Sequence, residues 1–250
     1  RHNERVILTS GESDASLRTS TEIPDLRRVQ FPDLGGTVKR ARLTAAFEAV
    51  GTAASTDATS SLHGVRLEAS RGDPWVVACD RYRMHAVMMT GRLGFGEPVT
   101  IPTNALKLVS SVGDQVVKVG TSDDTFFVQG DSGRMSTNGI AGDFISDWAS
   151  HLKIPKNPET VAEFDSTDLV AAVRQVHEPL GCDTVTLALS PDDHRITVSG
   201  ANASGTMTAK CLANVTGGET VVSYGVHHLL DAVKNLGSEA VMTVPPAFQL

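Results

Sequence analysis

The sequence predicts an α+β fold made of a unit of roughly 125 residues that recurs along the chain. Three observations carry this. Leu43-Thr44-Ala45-Ala46-Phe47-Glu48-Ala49-Val50 and Leu169-Val170-Ala171-Ala172-Val173-Arg174-Gln175-Val176 share one pattern, 126 residues apart. Leu106-Lys107-Leu108-Val109-Ser110-Ser111-Val112 and Leu229-Leu230-Asp231-Ala232-Val233-Lys234-Asn235-Leu236 form a second pair, 123 residues apart. Between the members of each copy the apolar period changes to two, which predicts strands.

The elements follow in order. Arg5-Val6-Ile7-Leu8 and Ser16-Leu17-Arg18-Thr19 read as two strands at the end of an earlier copy. The first helix at 43–50 has apolar residues at i, i+3, i+4 and i+7, one buried face. Val65-Arg66-Leu67-Glu68 and Trp75-Val76-Val77-Ala78 are hairpin strands, separated by the turn residues Arg71-Gly72-Asp73-Pro74. The Gly91-Arg92-Leu93-Gly94-Phe95-Gly96 stretch lacks phosphate-loop spacing and reads as a loop leading to the second helix. Gly113 closes that helix, and Val116-Val117-Lys118-Val119 and Thr125-Phe126-Phe127-Val128 are strands. The second copy repeats the order. It has a helix at 169–176 with Asp168 before it and strands at Val185–Leu189 and Ile196–Ser199. A helix closed by Gly237 follows, then a strand at Ala240–Val244. The Pro-rich stretch from Leu152 to Pro158 is the connector, matched by Phe31-Pro32-Asp33 earlier. The expected segments are 1–36, the tail of one copy, then 37–154 and 155–250. The first residue is Arg1 rather than Met, and the last copy stops short of its final strands, so the expectation is a longer parent chain of roughly 370 residues.

The 250 residues carry 22 Lys and Arg against 29 Asp and Glu, a net charge of -7. Segments 1–36, 37–154 and 155–250 hold 5 and 6, 12 and 12, and 5 and 11 of these, giving −1, 0 and −6. Cys79, Cys182 and Cys211 are odd in number and in no CxxC pair, which points to buried thiols in a reducing cytoplasm rather than a disulfide framework. No apolar run is long enough for a membrane helix. No nucleophile elbow, HExxH or zinc spacing occurs; His227-His228 and Asp192-Asp193-His194 read as surface. Neither a cofactor nor a metal is expected.

Leu62-His63-Gly64-Val65-Arg66-Leu67, followed by Val77-Ala78-Cys79-Asp80-Arg81-Tyr82-Arg83-Met84, resembles the L-x-G-[IV]-x-[LF] and A-T-D-x-[HFY]-R-L pair of the bacterial DNA polymerase III beta sliding clamps. Ser10-Gly11, Phe31-Pro32-Asp33, Phe144-Ile145-Ser146-Asp147-Trp148 and Ile154-Pro155 support the resemblance, which spans essentially the whole chain. The Arg81-Tyr82-Arg83 form is similar to actinobacterial or actinophage clamps. The resemblance implies a DNA clamp fold of repeated domains, each with two helices packed on two antiparallel sheets. It implies a cytoplasmic, non-catalytic homodimeric ring around duplex DNA, read without regard to sequence. Its partners would be the DNA polymerase III alpha subunit, the clamp loader and repair proteins, held through short peptide motifs. A ring holds DNA by enclosure, so the acidic total is tolerable.

Three sets of residues follow from the resemblance. The partner-peptide pocket would use Leu62, Cys79, Arg81, Tyr82, Arg83, Met84, Ser146 and Leu152, with Arg83 and Tyr82 as polar handles. The DNA-facing cations would be Arg40, Arg42, Lys107, Arg174 and Lys234, whereas Thr103-Asn104 is neutral where many clamps are basic. The ring interface would use Glu12, Asp14, Ala15 and Leu17 against Pro179, Leu180 and Lys210, a reversal of the usual charges that favours self-pairing. The competing expectation is a clamp-like decoy that binds such peptides without encircling DNA.

Overall fold

The computed structural model describes residues 5–10, 13–18, 31–70, 72–91, 93–152 and 156–245. The chain divides into two compact units, Arg1–Asp33 and Leu34–Leu250. In the first, β1 (Arg5–Ser10) and β2 (Ser13–Arg18) form an antiparallel hairpin, with Val6 opposite Leu17 and Leu8 opposite Ala15.

The second unit contains the repeat. Its first part runs β3 (Gly36–Lys39), α1 (Arg40–Gly51), β4 (Gly64–Ser70), β5 (Asp73–Cys79), β6 (Met84–Met88), β7 (Gly94–Phe95) and β8 (Val99–Pro102). It continues through α2 (Thr103–Val109), β9 (Val116–Ser122), β10 (Thr125–Gln129) and β11 (Arg134–Asn138) to a single-turn helix, α3 (Trp148–His151). The second part runs β12 (Thr160–Phe164), α4 (Ser166–Leu180), β13 (Thr184–Ser190), β14 (Arg195–Asn202), β15 (Gly205–Gly217), β16 (Thr220–Gly225), α5 (Val226–Val233) and β17 (Ala240–Val244).

The two long helices bury the same face. In α1 the buried residues are Leu43, Ala46, Phe47 and Val50; in α4 they include Leu169, Ala172, Val173 and Val176. Each set is the i, i+3, i+4, i+7 stripe that the sequence pattern marks. The helices sit on separate cores. One gathers residues between Val38 and Val128, with Phe47 edge-on to Phe126 at 6.1 Å. The other gathers residues between Ala162 and Val244. All three cysteines are buried free thiols, and burial pushes the Cys211 thiol up to about 11.

Several boundaries differ from the sequence expectation. α4 begins at Ser166, so Asp168 lies inside its first turn and Asp165 is the cap, accepting the Thr167 N–H at 2.7 Å. α2 and α5 begin three residues earlier than their apolar pattern suggests, at Thr103 and Val226. After α2 the apolar pattern continues into a turn packed on the core, where Val112 is buried, whereas the matching Leu236 after α5 is exposed.

The sheets are β6-β5-β4-β8, β11-β10-β9-β3, and β16-β13-β14-β15-β12-β17. All these ladders are antiparallel, but the glycine-rich loop adds β7 in parallel to β9. Glycine makes this crossing possible. A Cβ on Gly36 would lie 2.6 Å from the Leu93 Cα, and one on Gly94 would lie 2.8 Å from the Val119 carbonyl oxygen. The stretch is therefore used for close backbone approach. β15 pairs with β14 over Gly205–Leu212 and with β12 over Ala213–Gly217, so each half serves a different ladder. Among the described residues the other edge of Gly205–Leu212 has no strand beside it.

A third, smaller cluster lies on the opposite face of β5. Leu62, Val77, Cys79, Phe144 and Trp148 are buried there, with Trp75, Met84 and Ile145 packed around them. β5 is thus covered on both faces: Val76 and Ala78 belong to the first core, Val77 and Cys79 to this one. The cover is the segment before the connector. Trp148 is 3% exposed, packs edge-on to Trp75 at 5.5 Å and donates its indole N–H to Glu68 at 2.7 Å. Arg66 completes the anchor, pairing with Glu68 at 3.1 Å and lying over the Phe144 ring. A Trp148→Phe variant keeps the apolar plug but orphans the half-buried Glu68 oxygen. It should lose about 1–2 kcal/mol in urea denaturation.

Candidate functional site

The turn between β5 and β6 builds the site. Asp80 makes it: its Oδ1 accepts the backbone N–H groups of Tyr82 and Arg83 at 3.0 and 3.1 Å. Arg81 takes a left-handed φ of 80° inside this loop. Tyr82 consequently stands 88% exposed. Beside the turn is a cavity of about 220 Å³, lined by Cys79, Arg81, Tyr82, Arg83, Met84, Ile145 and His151.

Five of the eight expected pocket residues therefore line one cavity. Leu62 does not; it is buried in the cluster beneath. Cys79 belongs to both, forming the floor at 1% exposure, and burial raises its thiol pKa. Ser146 lines a separate cavity with Arg66, Glu68 and Trp148. Leu152 is exposed beyond α3 and is not part of the lining. Ile145 and His151 were missed in the sequence. The signal for them is the turn at Asp147, φ 54°, which starts α3 and brings His151 back over β6.

Arg83 does not act as a free polar handle. Its Nε donates to Asp80 at 3.0 Å, one terminal nitrogen to Asp231 at 2.8 Å, and the other to the Thr52 carbonyl at 2.5 Å. The guanidinium thus joins the hairpin turn, the end of α1 and helix α5, linking the two cores. Lys234 shares the Asp231 carboxylate at 2.7 Å. Burial pushes the Asp231 carboxyl up, but the hydrogen bonds from Lys234 and Arg83 outweigh it and leave the pKa lowered. His85 lies near this cluster, with Nδ1 on the Ala49 carbonyl at 3.2 Å and Nε2 buried without a partner among the described residues. Burial lowers its pKa, so the neutral ring is favoured in the fold.

The five expected DNA-facing cations lie on or at the ends of α1, α2, α4 and α5, but they differ in freedom. Arg40 donates to the Asp114 and Ser110 carbonyls at 3.0 and 2.5 Å, tying α1 to the turn after α2. Arg42 bonds the Thr90 hydroxyl, and Lys234 is held by Asp231. Lys107 and Arg174 are exposed and have no side-chain partner among the described residues.

The expected ring-interface residues fall into both units. Glu12 lies outside the described residues, as does Ile154-Pro155 of the connector. Asp14, Ala15 and Leu17 lie on β2. Pro179 and Leu180 end α4, where the Asn202 side chain donates to the Leu180 carbonyl. Lys210 is exposed on β15 opposite Thr197.

Among the described residues no helix is long and apolar enough to cross a membrane, and no three His, Cys, Asp or Glu side chains converge as metal ligands would.

No family model matches this chain, and no curated protein matches it. Solved structures do. The DNA polymerase III beta chain of Streptococcus pneumoniae has a TM-score of 0.79 at 19% identity, over 98% of this chain and 67% of that one. The beta subunit of Streptococcus pyogenes DNA polymerase has a TM-score of 0.79 at 21% identity, over 98% and 69%. The Pseudomonas aeruginosa DNA polymerase III subunit beta has a TM-score of 0.81 at 16% identity, over 98% and 69%. At such identities the likeness establishes the fold: this chain has the sliding-clamp fold, spanning about two thirds of those chains.

Proposed function

We propose that this chain is part of a sliding clamp, a non-catalytic processivity factor that closes as a homodimeric ring around duplex DNA and tethers the replicative polymerase. The observation that carries the reading is the internal repeat: two copies within the second unit with the same buried helix stripe, each with its own core, in a chain that matches solved clamps along 98% of its length. In this reading residues 1–36, 37–154 and 155–250 belong to three successive clamp domains. The unpaired edge of β15 at Gly205–Leu212 supports a protomer contact made by adding a strand. Glu12, Asp14, Ala15 and Leu17 of one protomer would meet Pro179, Leu180 and Lys210 of the next. The cavity at Cys79 would take short peptides from the DNA polymerase III alpha subunit, clamp loader and repair proteins. The Arg81-Tyr82-Arg83 turn supports an actinobacterial or actinophage type, working in the cytoplasm.

The test is topological. The full-length protein, loaded on nicked circular DNA, should be retained through gel filtration and released when the circle is linearised. Equal release from both forms would overturn the ring. Light scattering should give a dimer at micromolar concentration, whereas a stable monomer that still binds peptide would support the decoy.

DNA attraction should depend on the two unpaired cations. A Lys107→Glu, Arg174→Glu double variant should weaken non-specific duplex binding by about tenfold at low salt and flatten its salt slope by about two. Arg40→Gln should instead lower stability, because its guanidinium holds two carbonyls of the α2 turn.

A further inference from the structure

We infer that the groove between α1 and α2 is a binding site for a free purine mononucleotide, with its rings on an apolar floor, its phosphate at Lys107 and an exocyclic amino group at Glu48. The groove shares no lining residue with the cavity at Cys79, and the inference does not depend on the ring.

The two helices enclose a cavity of about 530 Å³, within the range of small-ligand sites. Phe47 and Gly51 line it from α1, Thr103 and Leu106 from α2. The second copy shows what occupies this space when side chains fill it. The helices can be matched on their buried residues, Val50 with Val176, and Ala105 and Val109 with Leu229 and Val233. Gly51 then stands where α4 has His177, and Thr103 where α5 has His227. Those two imidazoles meet edge-on between the helices, with centroids 5.7 Å apart. Glycine and threonine leave the same space open in the first copy. What is missing there is two flat rings, which a purine supplies.

The rim sets the rest of the ligand. Glu48 and Lys107 both line the groove, both are exposed, and neither has a side-chain partner among the described residues. Thr52 lines it too, and its Oγ1 is buried without a partner among the described residues. The ammonium suits a phosphate, and the carboxylate accepts an amino N–H. One cation beside one carboxylate suits a single phosphate. A nucleic-acid strand brings a run of phosphates, which the carboxylate repels.

The test is equilibrium dialysis of the full-length protein against AMP at low salt. AMP should bind with a Kd below about 1 mM. Adenosine, which lacks the phosphate, should bind about fivefold weaker, and Lys107→Gln should erase that difference. Purine riboside monophosphate, which lacks the amino group, should bind about threefold weaker, and Glu48→Gln should erase that difference. Gly51→His puts the second copy's imidazole into the groove and should abolish binding at an unchanged urea midpoint. A Cβ at Gly51 meets only the Leu106 Cδ1, at 3.5 Å, so the helix end accepts it. AMP binding that survives Gly51→His would overturn the site. So would a Lys107→Gln variant that keeps the parent's preference for AMP over adenosine, an exposed change that decides the matter even if Gly51→His disturbs the fold. Absence of binding at millimolar AMP would overturn it as well. Oligo-dA that binds more tightly per nucleotide than AMP, and is lost in Gly51→His, would overturn the free nucleotide in favour of a strand.

Discussion

An Arg83→Ala variant should be about 2 kcal/mol less stable than the parent protein, measured as a lower urea midpoint with unchanged slope. The parent guanidinium is 18% exposed, and its partners Asp80 and Asp231 are 16% and 26% exposed. Removing it takes one partner from each of two half-buried carboxylates and from the Thr52 carbonyl, while Asp231 keeps Lys234 and Asp80 keeps the Tyr82 and residue-83 backbone N–H groups. The cost stays below that of a fully buried pair because water reaches both ends. The loss should concentrate at the joint between the two cores, so hydrogen exchange should rise in α5 and at the end of α1 before the rest. Arg83→Lys should recover little, since an ammonium cannot reach three acceptors in one plane.

The same joint predicts a pH dependence. The Asp231 carboxyl is held below its ordinary value of 3.8 by Lys234 and Arg83. A depressed acid stabilises the fold above its unfolded value, and that contribution is lost as pH falls through its folded value. The parent should therefore lose stability below about pH 4 more steeply than Asp231→Asn, which has no charge to neutralise. Equal acid slopes would count against the shared carboxylate.

The second large effect is expected at Gly36. A Gly36→Ala variant should lose about 3 kcal/mol or fail to accumulate folded. The new Cβ would meet the Gly94 backbone nitrogen and lie 2.6 and 2.8 Å from the Leu93 Cα and carbonyl carbon. These are backbone atoms on both sides, so no side chain can rotate to make room. Gly35→Ala next to it meets nothing within 4 Å and should change stability by less than about 0.5 kcal/mol. If both variants unfold at the parent's midpoint, the β7 crossing is looser than the structure shows.

Much of the fold was legible beforehand. The stripes Leu43-Ala46-Phe47-Val50 and Leu169-Ala172-Val173-Val176 are buried as their spacing requires. The hairpins β4–β5 and β13–β14 lie where alternation places them. Such patterns are local: a helix or strand must bury one face, and its period is written in consecutive residues. The strands β3, β6, β7, β8, β11, β12, β15 and β16 were not called out by pattern. They are short, or polar on one face, and owe their order to ladder partners distant in sequence.

The site divides along the same line. The motif from Ala78 to Met84 marked the cavity, because an Asx turn is encoded by Asp80 and its neighbours alone. The roles within it were not encoded that way. Arg83 became a strut because Asp231 and Thr52 reach it from α5 and α1. His151 joined the rim because Trp148 found Glu68 across 80 residues. By itself the sequence determined the repeat, the helix faces and the place of the turn, through short-range periodicity and local hydrogen bonding. Only the tertiary structure decided which cations are spent and which remain free. A charged side chain's role depends on the acceptors that long-range packing brings within about 3 Å of it, and spacing along the chain does not carry that information.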